Sequence, residues 1–256
     1  GILHAARWVR LQWQTGTRIV QIAGYARKSG LAVARFNTPE GAIALRTVLE
    51  QSGGMLVKFG QIASTRDDLL PEVLTTELAS LRTAVPPLPY EVVRDSVESE
   101  LGAPLSELFA EFDQEPLAAA SIGVTHRAVL ADGRRVVVKV QRPDVEEAVT
   151  RDGRVLRWGA GVLERRWEHF SSLGISALAD ELVGSVESEL DFTREQANNA
   201  AMRAARSGDP GVRFPEILPS LTTQKVLVMD EVDGVEVSDA AAVDATGRPR
   251  SEIADN

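Results

Sequence analysis

Residues 116–143 read PLAAASIGVTHRAVLADGRRVVVKVQRP. Two strand-like runs stand out, Gly123 to Leu130 and Arg134 to Gln141. Between them lies Ala131-Asp132-Gly133, and Asp-Gly flanked by alternating apolar residues predicts a β-hairpin. Ahead of the first run is Ala118-Ala119-Ala120-Ser121, a loop of very small side chains that leaves the backbone open to close approach by a phosphate. Near the end of the second run sits Lys139, a single cation in Val136-Val137-Val138-Lys139-Val140. From the hairpin alone, a lysine snorkelling at the rim of a half-buried sheet is an equal reading.

Upstream the pattern is helical. Thr38-Pro39-Glu40-Gly41 reads as an N-cap with proline in the first turn, opening a helix to about Gln51 that Ser52-Gly53-Gly54 breaks. Met55 to Ser64 follows and contains Lys58-Phe59-Gly60-Gln61. Val85-Pro86-Pro87-Leu88-Pro89 reads as a stiff linker, because proline fixes its own φ and pushes the preceding residue to extended geometry. A helix from Pro89 to Leu101 ends at Gly102, and a first strand is expected over about Leu108 to Glu115. Downstream, one helical stretch runs from Pro143 to about His169 and, after Ser171-Ser172-Leu173-Gly174, a second from Ile175 to about Ser207. Within the second, Asp191 and Glu195 are four residues apart and are expected on one helix face. Further strands are predicted at Val212 to Leu218 and Gln224 to Val232.

The bulk properties narrow the class. The chain has 256 residues, 44% hydrophobic and 25% charged, which suits a globular protein with a sizeable core. It has no cysteine, and its three histidines (His4, His126, His169) are far apart, so neither a disulfide framework nor a histidine metal motif is expected. No apolar run reaches the length of a membrane span. A net charge of −9 argues against a general nucleic-acid binder. That charge is uneven: residues 1–35 hold six basic residues and no acid, leaving the rest at −15. Basic residues interleaved with Trp8, Trp13 and Tyr25 on a helical pattern suit an anionic membrane surface, and a helix packed on its own domain with a solvated basic face fits equally well.

Several of these residues together carry a family resemblance. The loop AAAS followed by SIG and HRA, the hairpin lysine Lys139, and Lys58-x-Gly60-Gln61 with Arg66, Asp67, Leu69-Leu70-Pro71, Leu81 and Val85-Pro86-Pro87 resemble the UbiB/ADCK family of atypical kinase-like proteins. The family replaces the glycine-rich loop of ordinary kinases with an alanine-rich one. The resemblance implies an α+β fold: a kinase-like N-lobe with a five-stranded antiparallel sheet and long helices over 108–256, preceded by an all-helical extension over 1–107. It implies an ATP site made of Leu117, Ala118, Ala119, Ala120, Ser121, Ile122, Gly123, Val124, Thr125, Val137 and Lys139. By the same resemblance Glu195 would be the glutamate that pairs with the strand lysine, Met229 would lie near the gatekeeper position, and the backbone of Asp230, Glu231 and Val232 would face the adenine edge. Lys58, Gly60 and Gln61 take the KxGQ motif, and Glu189 and Asp191 the ExD motif. Lys58, Lys139, Glu189, Asp191 and Glu195 are expected to converge on one cleft. ATP with Mg²⁺ is the implied cofactor set, quinone-biosynthesis proteins or membrane lipid the implied partners, and the cytoplasmic side of a membrane the implied location.

The sequence also departs from the family. Val124-Thr125 stands where Gln-Val is usual, and Val137 stands where an alanine would lie against the adenine. The last histidine is His169 and no D-F-G occurs, so a histidine-led catalytic loop and a D-F-G metal site are expected outside this chain. The chain opens on Gly1, as an excerpt of a longer protein would. The implied function is therefore the ATP-binding portion of an atypical kinase or ATPase tied to isoprenoid quinone or lipid metabolism. A non-catalytic, pseudokinase-like interaction module is the alternative.

Overall fold

A computed structural model describes residues 2–31, 37–81, 86–166, 172–209, 211–235, 237 and 239–248, with side chains from residue 10 onward. Arg35, Val85 and His169, and the side chains of Arg7 and Trp8, lie outside the described residues. The chain forms two compact units. The first comprises Gly1–Pro86, Ala119–Gly123 and Arg142–Leu190, and the second Pro87–Ala118, Val124–Gln141 and Asp191–Asn256.

The first unit is helical: α1 (Ile2–Lys28), α2 (Pro39–Ser52), α3 (Gly54–Ala63), α4 (Glu72–Ala79), α7 (Val145–Arg166) and α8 (Ile175–Glu189). Thr38 caps α2 as predicted, its hydroxyl accepting from the Gly41 amide at 3.3 Å, and Pro39 supplies the first turn. The break between α2 and α3 needs two consecutive positive φ values, 63° at Gly53 and 59° at Gly54, which glycine adopts at no steric cost. One core joins these helices, with Met55, Phe59, Leu78, Leu81, Val149 and Val183 among its buried members. Gly153 lets α7 and α8 approach closely, since a Cβ there would lie 3.0 Å from a Val183 methyl. Arg18 fastens α1 to its neighbours, donating to Ser52 O (2.6 Å) at the end of α2 and to the fully buried Asp152 of α7 (3.3 Å).

The second unit carries α5 (Tyr90–Leu101), α6 (Leu105–Leu108), α9 (Phe192–Ala205), α10 (Ala240–Ala245) and the sheet strands β1 (Glu111–Phe112), β3 (Gly123–Val129), β4 (Arg135–Gln141) and β5 (Val226–Asp230). The strand order is β1-β3-β4-β5, and β2 (Ala118–Ala119) adds to β3. The sheet is thus five-stranded and antiparallel and the protein α+β, as expected. The hairpin turn lies where predicted, with Gly133 at φ 85° and its amide bonded to Leu130 O. β4 pairs with β5 in the register Val137↔Met229 and Lys139↔Leu227. Val136, Val138 and Val140 alternate with these and are fully buried, as are Val93 and Val97 of α5, which packs on β4.

Four local expectations differ from the outcome. The strand expected at Val212 to Leu218 is reduced to a single bridge, Ile217↔Met229. Pro215 removes an amide donor from that run and Pro219 follows directly after it, and proline is poorly tolerated in a ladder. The fifth strand comes instead from the alanine loop, as β2. The first strand is only two residues long, because Leu105–Leu108 closes as a helical turn ahead of it. The long helix expected from Ile175 to about Ser207 is two helices, with Leu190 and Asp191 between them.

Candidate functional site

Strand alternation fixes where Lys139 points. With Val138 and Val140 buried on one face of β4, Lys139 projects from the other, beside Leu227 and toward α9. Its ammonium donates to Glu195 Oε2 at 2.8 Å and lies 4.6 Å from the centroid of the Phe192 ring. Phe192 is 1% exposed and packs with Ile217, Leu227 and Met229, so the lysine stem rests on an apolar floor. The start of α9 is held by the Phe192 amide on Gln224 O (3.1 Å), a carbonyl that also receives Gln141 Nε2 (3.0 Å). Both partners of the ion pair remain about one third to two fifths exposed, so it contributes about 0–1 kcal/mol to stability. Its consequence is positional: it holds a cation at a defined height above the sheet.

Asp191 takes a different place from the one expected. It is the N-cap of α9, its carboxylate accepting from the Thr193 amide (3.0 Å) and the Thr193 hydroxyl (2.6 Å). An aspartate in extended backbone geometry before a helix satisfies the orphan amides of the first turn. It therefore does not stack on Glu195 as an i,i+4 neighbour.

The KxGQ residues divide between two tasks within the helical unit. Lys58 of α3 pairs with Glu189 at the end of α8, Nζ to Oε2 at 3.1 Å. Gly60 and Gln61 face Leu81 instead. A Cβ on Gly60 would sit 2.5 Å from one Leu81 methyl and 2.8 Å from one of Leu49, and Gln61 Nε2 donates to Leu81 O at 3.1 Å. Arg66 anchors the loop after α3, bridging Asp68 (2.8 Å) and Glu181 (2.6 Å), and both carboxylates hold its guanidinium protonated beyond the ordinary range.

The alanine-rich loop is fastened by its backbone. Leu117 donates to Thr125 O and Ala120 to Gly123 O, each at 2.8 Å, while Ile122 is buried among Val145 and Val149. Arg142, which sequence reading passed over, reaches Ala120 O with Nε (3.0 Å) and Pro86 O with Nη2 (2.7 Å). Its desolvation lowers the guanidinium pKa from the usual arginine value. The signal for it was slight: an arginine immediately after the strand and before Pro143. Phe192 was also missed, although an aromatic inside an otherwise acidic run was there to be noticed.

Of the other expected residues, Val137 is 7% exposed and shares the Lys139 face of β4. At the end of β5 the Asp230 amide donates to Glu216 O (2.9 Å) and the Glu231 amide to Arg135 O (3.1 Å). Arg134 depresses the Asp230 carboxyl pKa, and Arg127 with Arg135 depresses that of Glu231. Each lysine–glutamate pair lies wholly within one unit. Among the described residues no group of three or more His, Asp or Glu is placed to hold a metal ion. Glu189 and Glu195 are each engaged by a lysine and Asp191 caps its helix, so the residues present do not by themselves fit Mg²⁺.

Comparison with known proteins bears on this arrangement. The family described as "ABC1 atypical kinase-like domain" matches residues 80–256. A "Probable protein kinase UbiB" of Marinobacter nauticus is 40% identical over 203 residues, 79% of this chain and 37% of the relative. One of the same description from Xylella fastidiosa is 36% identical over 209 residues, 82% of this chain and 38% of the relative. The chain thus spans under two fifths of the length of these relatives. Among solved structures, that titled "The complex structure of Rv3197-erythromycin from Mycobacterium tuberculosis" matches with a TM-score of 0.53 at 29% identity, over 80% of this chain and 50% of that one. Two structural units carrying the KxGQ residues and the strand lysine with its glutamate, together with a family match over more than half of its length, make the chain a member of the ABC1 atypical kinase-like family, the UbiB/ADCK group.

Proposed function

We propose that this chain is the ATP-binding portion of an atypical kinase or ATPase. In this reading Lys139, held by Glu195, meets the nucleotide phosphates, and the small side chains of Ala118 to Ser121 let loop backbone approach them. Val137 and Met229 form the apolar surface for the adenine. The amides of Asp230 and Glu231 are taken up inside the unit, which leaves Val232 to present its N–H to the base edge. Lys58 with Glu189 belongs to the same nucleotide-handling machinery, as the sequence resemblance implies. The metal that accompanies ATP is assigned no ligands here.

The link to isoprenoid quinone or membrane lipid metabolism comes from the resemblance and from the UbiB description of the relatives. Peripheral attachment to an anionic membrane is part of the same proposal. No helix among the described residues is long and apolar enough to cross a membrane. On α1, Arg10, Trp13, Val20, Arg27 and Lys28 are exposed, whereas Arg18 is turned inward to Asp152. Fewer cations than the six counted from sequence therefore serve a surface, and salt-sensitive binding to anionic vesicles is the expectation.

The observation that carries the nucleotide reading is the 2.8 Å Lys139–Glu195 pair on its apolar floor. Titration with a fluorescent ATP analogue tests it. Lys139→Ala is expected to weaken binding at least tenfold without unfolding the chain. Equal affinity in the wild type and Lys139→Ala would end the reading, and no binding by either would leave the interaction-module alternative.

A further inference from the structure

The helical unit contains an apolar cavity of about 370 Å³ that neither the ion pairs nor the alanine loop touches. It lies among α1, α2, α7 and α8, with Ile22, Leu45, Leu49, Leu156 and Leu182 in its wall. Among the described residues the lining holds no charged side chain, and its one hydroxyl, that of Ser52, is already spent on Val48 O at 2.6 Å. The volume is more than twice that of the ~150 Å³ dry cavity that admits benzene. A space lined in this way offers water few partners and suits hydrocarbon.

The ends of the helices say which hydrocarbon. Arg10 pairs with Glu147 and Arg18 with Asp152, so residue numbers rise together along α1 and α7 and the two helices run in the same direction. Their C-termini therefore lie at one end of the cavity, which is lined there by Ala26 and Leu31 on one side and Val162 and Leu163 on the other. α1 ends in Arg27-Lys28 and α7 in Arg165-Arg166, and all four are exposed. Glu164, in the last turn of α7, is bonded to the amide and hydroxyl of Ser176 (2.7 and 2.6 Å). An apolar slot with four cations at one end is complementary to a hydrocarbon tail joined to an anionic head.

We infer that this cavity takes one acyl chain of an anionic phospholipid drawn from a bilayer, with the head group held by Arg27, Lys28, Arg165 and Arg166. Trp158, half exposed and part of the lining, forms one side of the entrance. The inference rests on the membrane attachment proposed above and adds to it a defined seat for one lipid.

The test uses the intact chain and vesicles containing phosphatidylglycerol with a diazirine near the end of one acyl chain. After irradiation, crosslinked residues are mapped by mass spectrometry. Crosslinks are expected in residues 19–31 and 155–163, at least fivefold more than with diazirine-bearing phosphatidylcholine. Ala23 lines the cavity yet is exposed, so Ala23→Phe fills the space without disturbing the buried core. It is expected to cut cavity crosslinks at least fivefold while vesicle cosedimentation is unchanged. Crosslinks confined to the outward face of α1, at Trp13 and Val20, or insensitive to Ala23→Phe, would overturn the seat and leave surface attachment standing. Loss of cosedimentation itself would overturn the attachment. Labelling by a free diazirine fatty acid but not by vesicles would overturn the bilayer as the source.

Discussion

Replacing Gly60 by alanine separates the structural half of the KxGQ motif from its chemical half. The residue is in mid-helix with no special φ, so alanine favours the helix there by about 1 kcal/mol. Against this, the new methyl would lie 2.5 Å from Leu81 and 2.8 Å from Leu49, closer than carbon atoms tolerate. Leu81 is 1% exposed and its carbonyl is held by Gln61, so it has little room to withdraw. Overpacking of a filled core costs about 1–3 kcal/mol. The second effect equals or exceeds the first, and a net loss of about 0–2 kcal/mol corresponds to a Tm about 0–8 °C lower for a chain of this size. Thermal unfolding followed by helical circular dichroism reads it. Lys58→Ala is the control: its pair with Glu189 is partly exposed and contributes about 0–1 kcal/mol, so Tm should move by no more than about 4 °C. A raised Tm in Gly60→Ala, the outcome of helix propensity unopposed, would refute the packing account of the glycine.

Two further outcomes follow from the sheet unit. Asp230 and Glu231 have folded-state pKa values below the usual carboxylate range, so their ion pairs stabilise the fold above about pH 4 and cease to do so as pH falls below it. The Tm difference between wild type and Arg134→Ala should accordingly be constant from pH 8 to 6 and shrink toward pH 3, and a difference independent of pH would contradict the assignment. At Asp191, substitution by alanine should cost about 0.5–2 kcal/mol through loss of the α9 cap, while asparagine, which caps as well, should cost little. Equal destabilisation by both substitutions in urea unfolding would show that the carboxylate charge, not the cap, matters there.

What the sequence revealed were features set by neighbours in the chain or by one strong residue. Asp132-Gly133 fixed the hairpin, Thr38-Pro39 the start of α2, and period-two alternation put Lys139 and Val137 on one face of β4. The pairing of Lys139 with Glu195, and the convergence of Lys58 on Glu189 and Asp191 without a choice between them, came from the resemblance, since nothing local links residues 56 or 131 positions apart. Asp191 misled because Asp191-Phe192-Thr193 fits both a helix interior and an Asx turn, and the turn prevails where Thr193 gives the carboxylate two donors. Val212 to Leu218 misled because its apolar content suggested a strand while Pro215 within it, and Pro219 just after it, opposed one. Arg142 and the cavity in the helical unit depend on long-range packing, which periodicity does not record.

The chain has four lysines, Lys28, Lys58, Lys139 and Lys225, so a lysine-reactive acyl-phosphate derivative of ATP gives a direct residue-level reading of the nucleotide site. Labelled peptides are quantified by mass spectrometry with and without excess ATP. The account predicts that Lys139 is labelled and protected by ATP, that Glu195→Gln reduces this protected labelling, and that Lys28 and Lys225 react slowly and without protection. Labelling spread over Lys28 and Lys225, with Lys139 unprotected by ATP, would contradict the claim that this family member binds nucleotide through its strand lysine.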